Sequence, residues 1–404
     1  MDALMAEPQL RLGVVGAGRR AQQHLATLAG LTDLFRVAAI CDANPDVAQR
    51  VATQLECEAY TDARECLAKA RLDAALIATP PEAHHLIATV AARAGVPMLI
   101  ETTLGLTRPM MDAIAAAAAK SGVFVEVAEN YGRRPAEQLN AAAIRAGLIG
   151  ELVHLSAYNA PANEESCYHT MSLFRTYAGC DVTEIRAAGR QVPNGPLREG
   201  WPESWIDATL TFENGITASV SYVTTWVTPL RWGRPRIATA EGTNGYILTS
   251  EGTPDRLRRG ENGQAADHPL QVEVQHAATG DIPTGYSYGP DLGVEWANPF
   301  ADRVLADGGP VGVADGIARA IELRNLHRAV TDGGTPGWTI AQARRSQELG
   351  IAIAEAARLS RPIPARLEGE TSWEREQHAA VAKRWGIHPL DDVDRVFDHL
   401  AARR

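Results

Sequence analysis

The sequence predicts an α/β chain: a doubly wound parallel sheet at the N-terminus, then an α+β domain on an open, mostly antiparallel sheet. Three observations carry this expectation. From Leu10 to about Asn130, short apolar runs alternate with amphipathic stretches, the pattern of strands covered on both faces by crossover helices. A glycine turn, Gly16-Ala17-Gly18, joins the first such strand to the first helix. Beyond residue 150 the apolar period drops to two, and Asn-Gly pairs at 214–215 and 244–245 mark tight hairpins.

Taken in order, RLGVVGAG is a strand entering a turn, and a helix continues over Ala21–Leu31. FRVAAICD is a second strand, followed by a helix around Val47–Leu55. LDAALIATPP is a strand stopped by prolines, which lack the donor a strand or helix interior needs. A helix over Ala83–Ala94, a Gly95-Val96-Pro97 turn and the strand MLIE come next, then an alanine-rich helix after Pro109 and a strand over Val123–Ala128. A helix near Pro135–Ala146 leads into the second domain. There Leu152–Tyr158 puts Val153, Leu155 and Ala157 on one face and His154, Ser156 and Tyr158 on the other. Ile206–Phe212 pairs with Ile216–Tyr222, and Ile237–Ala240 with Tyr246–Leu248. Residues 251–300, rich in Gly, Pro and charge, read as a long loop insertion. Helices return at Val313–Thr331 and Ile340–Leu359, and the charged tail after Pro364 reads as helical and outside either core. The expected division is residues 8–130, 131–364 and a tail over 365–404.

The chain's 404 residues suffice for two domains. Its 45% hydrophobic and 22% charged content are those of a globular protein. A net charge of −10 argues against nucleic acid, because nothing would neutralise a phosphate backbone. Five cysteines without CxxC spacing fit a reducing cytoplasm and neither a disulfide framework nor a metal site. The N-terminal residues lack the pattern of a secretory signal, and no apolar run reaches the length of a membrane span, so the expected location is cytoplasmic. Lysine occurs only at Lys69, Lys120 and Lys383.

Gly16-Ala17-Gly18-Arg19-Arg20-Ala21 is G-x-G-x-x-A between a predicted strand and a predicted helix. The first glycine permits the tight turn, and the second lets the backbone approach a pyrophosphate. Ala21 allows close helix–strand packing, and the helix N-terminus, with Arg19, faces the phosphates. Asp42 follows at the end of the second strand, 24 residues after Gly18. A carboxylate there accepts both ribose hydroxyls of NAD and repels the 2′-phosphate of NADP, so the Rossmann-type domain is expected to hold NAD rather than NADP. Arg19 or Arg20 is the feature that would favour NADP.

With GAGRRAQQH, ICDANP, DAALIATPPEAH, the Glu101 turn and AGLIGELVH in that order, residues 10–365 resemble the glucose–fructose oxidoreductase/inositol dehydrogenase (Gfo/Idh/MocA) family. The resemblance implies an NAD(P)-binding domain, an open sheet that mediates homodimers or homotetramers, and hydride chemistry at a sugar, cyclitol or polyol carbon. It also implies that Thr79 and Pro80 line the nicotinamide half of the cofactor. His84 matches a family histidine near that loop, and His24 matches another whose role is structural.

Two positions bear on the reaction. The family's Glu-Lys-Pro turn, whose lysine contacts the reacting hydroxyl and the nicotinamide ribose, reads Glu101-Thr102-Thr103 here. Thr102 carries no charge, and no lysine lies between Lys120 and Lys383. The family's Asp and His, four residues apart on a helix, correspond to Glu165 and His169, a spacing that shares one helical face. Hydride transfer from a carbinol needs a base for the hydroxyl proton, and histidine suits neutral pH. His169 is therefore the expected acid/base and Glu165 its partner. Three outcomes follow from the altered turn: an ordinary dehydrogenase or reductase, a redox-neutral epimerase, lyase or glycosidase using bound NAD, or a non-catalytic NAD-binding relative. Trp201, Trp205, Trp226, Tyr286, Tyr288 and Trp296 are candidates for a sugar pocket or for core packing. Arg133 and Arg134 are candidates for holding a carboxylate or hydroxyls.

Overall fold

A computed structural model describes residues 7–160, 167–191, 204–223, 236–250, 253–277, 280–306 and 312–403. The chain divides into two compact units, one drawn from residues 1–130, 303–344 and 381–404, the other from residues 131–302 and 345–380.

The first unit opens with β1 (Leu10–Val15), α1 (Arg19–Leu28), β2 (Phe35–Cys41), α2 (Pro45–Leu55), β3 (Glu58–Tyr60), α3 (Ala63–Lys69), β4 (Ala74–Ile77), α4 (His84–Arg93), β5 (Met98–Glu101), α5 (Arg108–Ser121) and β6 (Val125–Ala128). All six strands are parallel, in the order β3-β2-β1-β4-β5-β6. Every residue of β4, β5 and β6 is buried, so β4 reads as an unbroken apolar run, while β5 ends in the buried Glu101 and β6 carries the buried Glu126. β3 and α3 are not among the elements expected from the sequence. β3 is a three-residue edge strand with two exposed positions, too short to show a period.

The second unit contains α6 (Pro135–Arg145), β7 (Leu152–Tyr158), α7 (Tyr168–Ala178), β8 (Val182–Gln191), β9 (Ser204–Phe212), β10 (Thr217–Val223), β11 (Ile237–Gly242), β12 (Gly245–Ser250), β13 (Thr253–Glu261), β14 (Gln264–Pro269), β15 (Gln271–Ala277), β16 (Gly280–Ser287) and β17 (Glu295–Ala297). Farther along the chain lie α8 (Val313–Asp332), α9 (Ile340–Leu359), β18 (Ile363–Pro364), α10 (Ser372–Trp385) and α11 (Val393–Ala401). A nine-stranded sheet runs β14-β13-β12-β11-β7-β10-β9-β8-β18, and only its β7–β10 pair is parallel. One face packs Leu155, Ala208, Leu210, Ala218 and Val220 into a core with Leu139 of α6, Phe174 of α7 and Ile353 of α9. The stretch 251–300 is not a loop insertion: it supplies β13 and β14 to the large sheet and builds a three-stranded sheet, β15-β16-β17. Its outward positions are charged and its inward ones few, as where Asp255 and Leu257 are buried between exposed neighbours, so the two-residue period is faint.

The tail also differs from the expectation. Trp373 is fully buried, as are Val381 and Val396. In the first unit His85 donates through Nε2 to the Pro389 carbonyl at 2.7 Å, and Arg64 pairs with Asp398 at 2.6 Å. His85 is thus buried in the first unit. The tail shows no apolar period because several of its buried positions, Thr371, Glu374, Gln377 and His378, are polar.

Behind β13 sits a buried polar cluster. The Tyr288 hydroxyl donates to Asn140 Oδ1 at 2.6 Å, Asn140 Nδ2 donates to Glu137 Oε2 at 3.3 Å, and Tyr177 donates to Glu137. Burial pushes the Asp255 carboxyl up to about 7, with the Glu137 charge adding to it. The unfolded carboxyl titrates near 3.8. Between those values the folded state binds more protons, so this group's contribution to stability falls as pH rises from about 4 to about 7. Asp255→Asn is expected to stabilise the second unit by roughly 1–3 kcal/mol at pH 8, with the gain gone at pH 4. Urea titrations at both pH values check this, and an equal effect at both would contradict it.

Candidate cofactor and active site

The glycine turn at the end of β1 has the geometry its sequence demands. Gly16 adopts φ +88°, and a Cβ there would lie 2.7 Å from the Ala78 carbonyl oxygen and 2.8 Å from the Thr79 nitrogen. Only glycine fits that approach of β1 to the end of β4. Gly18, at the N-cap of α1, is exposed, and a Cβ there would meet nothing within 4 Å. The turn is thus closed underneath by protein and open above, at a helix N-terminus whose N–H groups favour an anion. Ala21 is fully buried, and Arg19 begins α1 exposed.

Asp42 follows β2 directly. The Ala17 N–H donates to its Oδ2 at 2.8 Å and the Asn44 N–H to its Oδ1 at 2.9 Å. Each oxygen retains a lone pair, so the carboxylate is held against the glycine turn and can still accept from ligand hydroxyls. Thr79 and Pro80 leave β4 at the same carboxyl edge, and the Thr79 hydroxyl is buried without a hydrogen-bond partner among the described residues. The free lone pairs, the open space above Gly18 and this orphaned hydroxyl fit a dinucleotide across the strand ends, where the strand order reverses between β1 and β4.

His84 braces this edge from below. Its Nε2 lies 2.8 Å from the Thr79 carbonyl, and its Nδ1 lies 3.1 and 3.2 Å from the carbonyls of Thr103 and Leu104. Burial pushes the imidazole pKa down, and the ring ties the end of β4 to the turn after β5. It is a positioning residue there.

Glu101, the last residue of β5, is buried. Its Oε1 accepts from Arg20 Nε at 2.6 Å and His24 Nε2 at 2.5 Å, and its Oε2 from the Thr102 N–H at 3.0 Å. Burial favours the neutral acid, but the Arg20 charge and the His24 hydrogen bond outweigh it and hold the carboxyl well below the usual carboxylate range. Burial pushes the His24 pKa down, so the neutral ring donates its Nε2 proton to Glu101. From the sequence, Arg20 stands out only as a feature that would favour NADP. Its place on one α1 face with His24 and Thr27, at steps of four and three, was the available signal.

His169 belongs to the second unit. It lies in the first turn of α7, buried, stacked on Tyr131 with centroids 4.2 Å apart and planes 17° from parallel. The Arg134 guanidinium carbon lies 3.8 Å from the same ring's centroid. Two planar groups cannot share one ring face at those distances, so Tyr131 is sandwiched between them. This gives Arg134 a role in packing, while Arg133 is buried nearby in the chain. Tyr286 and Tyr288 are core residues, and Trp296 packs edge-on against Tyr286 with centroids 5.7 Å apart. Trp205 lies in β9, paired with Val223. Glu165, Trp201 and Trp226 lie outside the described residues. Among the described residues, no group of three or more His, Cys, Asp and Glu is placed to hold a metal ion.

Residues 10–129 match the profile of an oxidoreductase family with an NAD-binding Rossmann fold, Gfo/Idh/MocA. Two curated relatives extend the likeness over most of the chain. Levoglucosan dehydrogenase of Pseudarthrobacter phenanthrenivorans is 23% identical over 395 residues, 86% of this chain and 96% of that protein. The NAD(+)-dependent scyllo-inositol 2-dehydrogenase of Bacillus subtilis is 26% identical over 375 residues, 88% of this chain and 96% of that one. The chain carries the NAD-binding domain of the Gfo/Idh/MocA family over residues 10–129. Its fold is likewise that of levoglucosan dehydrogenase solved with NADH and L-sorbose, at TM-score 0.68 and 20% identity over 89% of this chain and all of that one. The first unit of this protein therefore contains an NAD-binding Rossmann domain.

The two glycines separate folding from binding. Gly16→Ala is expected to lower stability by about 1–3 kcal/mol, from the strained φ and the backbone clash. Gly18→Val is expected to keep the melting temperature of the ligand-free protein and lose at least tenfold in NAD affinity. Thermal melts with and without NAD distinguish the two. A Gly18→Val protein with wild-type affinity would remove Gly18 from the site.

Proposed function

We propose that this chain is an NAD-dependent dehydrogenase or reductase acting at a carbinol or ketone carbon of a sugar, cyclitol or related polyol. The observation that carries the cofactor choice is Asp42: a carboxylate pinned to the glycine turn by the Ala17 N–H, where a 2′-phosphate would meet its charge. The substrate class is supported by the relatives, which are named for levoglucosan and scyllo-inositol. A further one, D-apiose dehydrogenase of Paraburkholderia graminis, is 28% identical over 225 residues, 51% of this chain and 58% of that protein.

When bound, NAD accepts the hydride of a carbinol carbon or returns it to a ketone. His169 takes the hydroxyl proton in oxidation and gives it back in reduction. The stack on Tyr131 restricts its ring to one plane, so its nitrogens keep fixed directions. Glu165 is its proposed partner. Thr102 supplies no ionisable group, which leaves the proton to His169. Thr79 Oγ1 and Asp42 hold the coenzyme, with Gly16, Gly18, Arg19, Ala21, Pro80 and His84 shaping its bed. We further propose that the open face of the nine-stranded sheet, carrying Ser156, Thr209, Ser219 and Ser221, joins copies of the chain into a homodimer or homotetramer. All five cysteines are unpaired, which suits a reducing cytoplasm.

The threonine at 102 favours a second reading, a redox-neutral reaction in which one tightly held NAD is reduced and reoxidised within each turnover. Net change in free NADH during turnover supports the first reading. Turnover without it, on co-purified NAD, supports the second.

Two substitutions test the assignment. Asp42→Ala is expected to weaken NAD about tenfold or more and to narrow the preference over NADP. Calorimetric titration with both coenzymes reads this, and an unchanged preference would contradict the role given to Asp42. His169→Ala is expected to lower kcat by about 10²–10⁴-fold with NAD affinity kept. Wild-type turnover in that variant would end the acid/base assignment.

A further inference from the structure

Arg20 makes a contact that the glycine fingerprint itself does not require. The fingerprint specifies small residues at 16, 18 and 21 and leaves position 20 open. Here Arg20 Nε donates to Glu101 Oε1 at 2.6 Å and Nη1 donates to Gln23 Oε1 at 2.9 Å. These two bonds fix the guanidinium plane. Its Nη2 makes no protein hydrogen bond among the described residues, and the side chain keeps 30% exposure. The ion pair therefore joins the first turn of α1 to the carboxyl end of β5 and leaves one guanidinium edge toward solvent.

The strand order says which half of the coenzyme this edge serves. Asp42 follows β2, on one side of β1, and takes the adenosine ribose. The other half crosses to the far side of β1, over the carboxyl ends of β4 and β5. That half carries the redox chemistry, and its charge changes with oxidation state: the oxidised nicotinamide ring is a cation and the reduced ring is neutral. Glu101 is the carboxylate at the end of β5, and alone it would favour the cation. Arg20 cancels that field, and no second cation is supplied by the turn that follows, Thr102-Thr103.

We propose that Arg20 sets the balance between oxidised and reduced coenzyme by neutralising Glu101 at the nicotinamide end of the site. This rests on the reading of the first unit as an NAD site. Arginine stays charged across the working pH range. It differs in this from a residue that also moves a proton.

The test is the ratio Kd(NAD+)/Kd(NADH), measured by calorimetry and by NADH fluorescence without substrate. Arg20→Gln leaves the Glu101 charge uncompensated, and the ratio is expected to fall about tenfold, the scale of one charge in a protein dielectric. Arg20→Lys is expected to keep the wild-type ratio. Glu101→Gln is expected to move it the opposite way, which keeps the proposal testable should Arg20→Gln fail to fold. A merely structural Arg20 would weaken both forms equally, and that result would overturn the proposal. So would shifts of the same sign in Arg20→Gln and Glu101→Gln. A wild-type protein that binds neither coenzyme would instead sink the NAD reading on which this one stands.

Discussion

A carboxylate buried at the end of a parallel strand has to be compensated, and the first unit is organised around doing so for Glu101. An unpaired ion in that position costs several kcal/mol. Compensation comes from α1, through Arg20 and His24, and from the β5 turn itself, through the Thr102 N–H. The same face of α1 continues to Thr27, which accepts from Arg319 Nε of α8 at 3.2 Å and donates to the Ala306 carbonyl at 2.9 Å. Arg319 lies 3.7 Å from Asp315, and Asp315 accepts from Asn130 at 3.2 Å. One buried charge thus leads, partner by partner, to a helix more than two hundred residues away in the chain.

That chain of partners also explains why the sequence reading placed 313–332 with the second domain. Asp315, Arg319 and Glu322 are fully or nearly fully buried, yet by residue type they read as a solvated helical face. Buried charge that is satisfied by other buried charge is invisible to a hydrophobic period. The same limitation hid β13 to β17, whose inward positions include Asp255. By contrast, the β1 to β6 core and the Asn-Gly hairpins were legible, because each is dictated locally by apolar runs or by turn chemistry. The candidate site divides in the same way. Gly16, Gly18 and Asp42 carry their geometry in their spacing. The contact between Arg20 and Glu101 spans 81 positions and needs the folded sheet to be seen.

The substitution of Thr102 for the family lysine has a different meaning once Arg20 is in view. A lysine at a turn can supply both a positive charge and a proton. Under the proposed assignment the two are separated: the charge sits on α1 as the Arg20 guanidinium, and the proton is left to His169. Separation has a chemical consequence. Under that assignment Arg20 supplies the fixed charge beside the coenzyme, while the acid/base step at His169 carries a pH dependence of turnover. In the redox-neutral alternative the same fixed cation would be useful for another reason. A coenzyme that is reduced and reoxidised in place must be held in both charge states, and a Glu101 field cancelled by Arg20 lets neither state be held so much better that the cycle stalls.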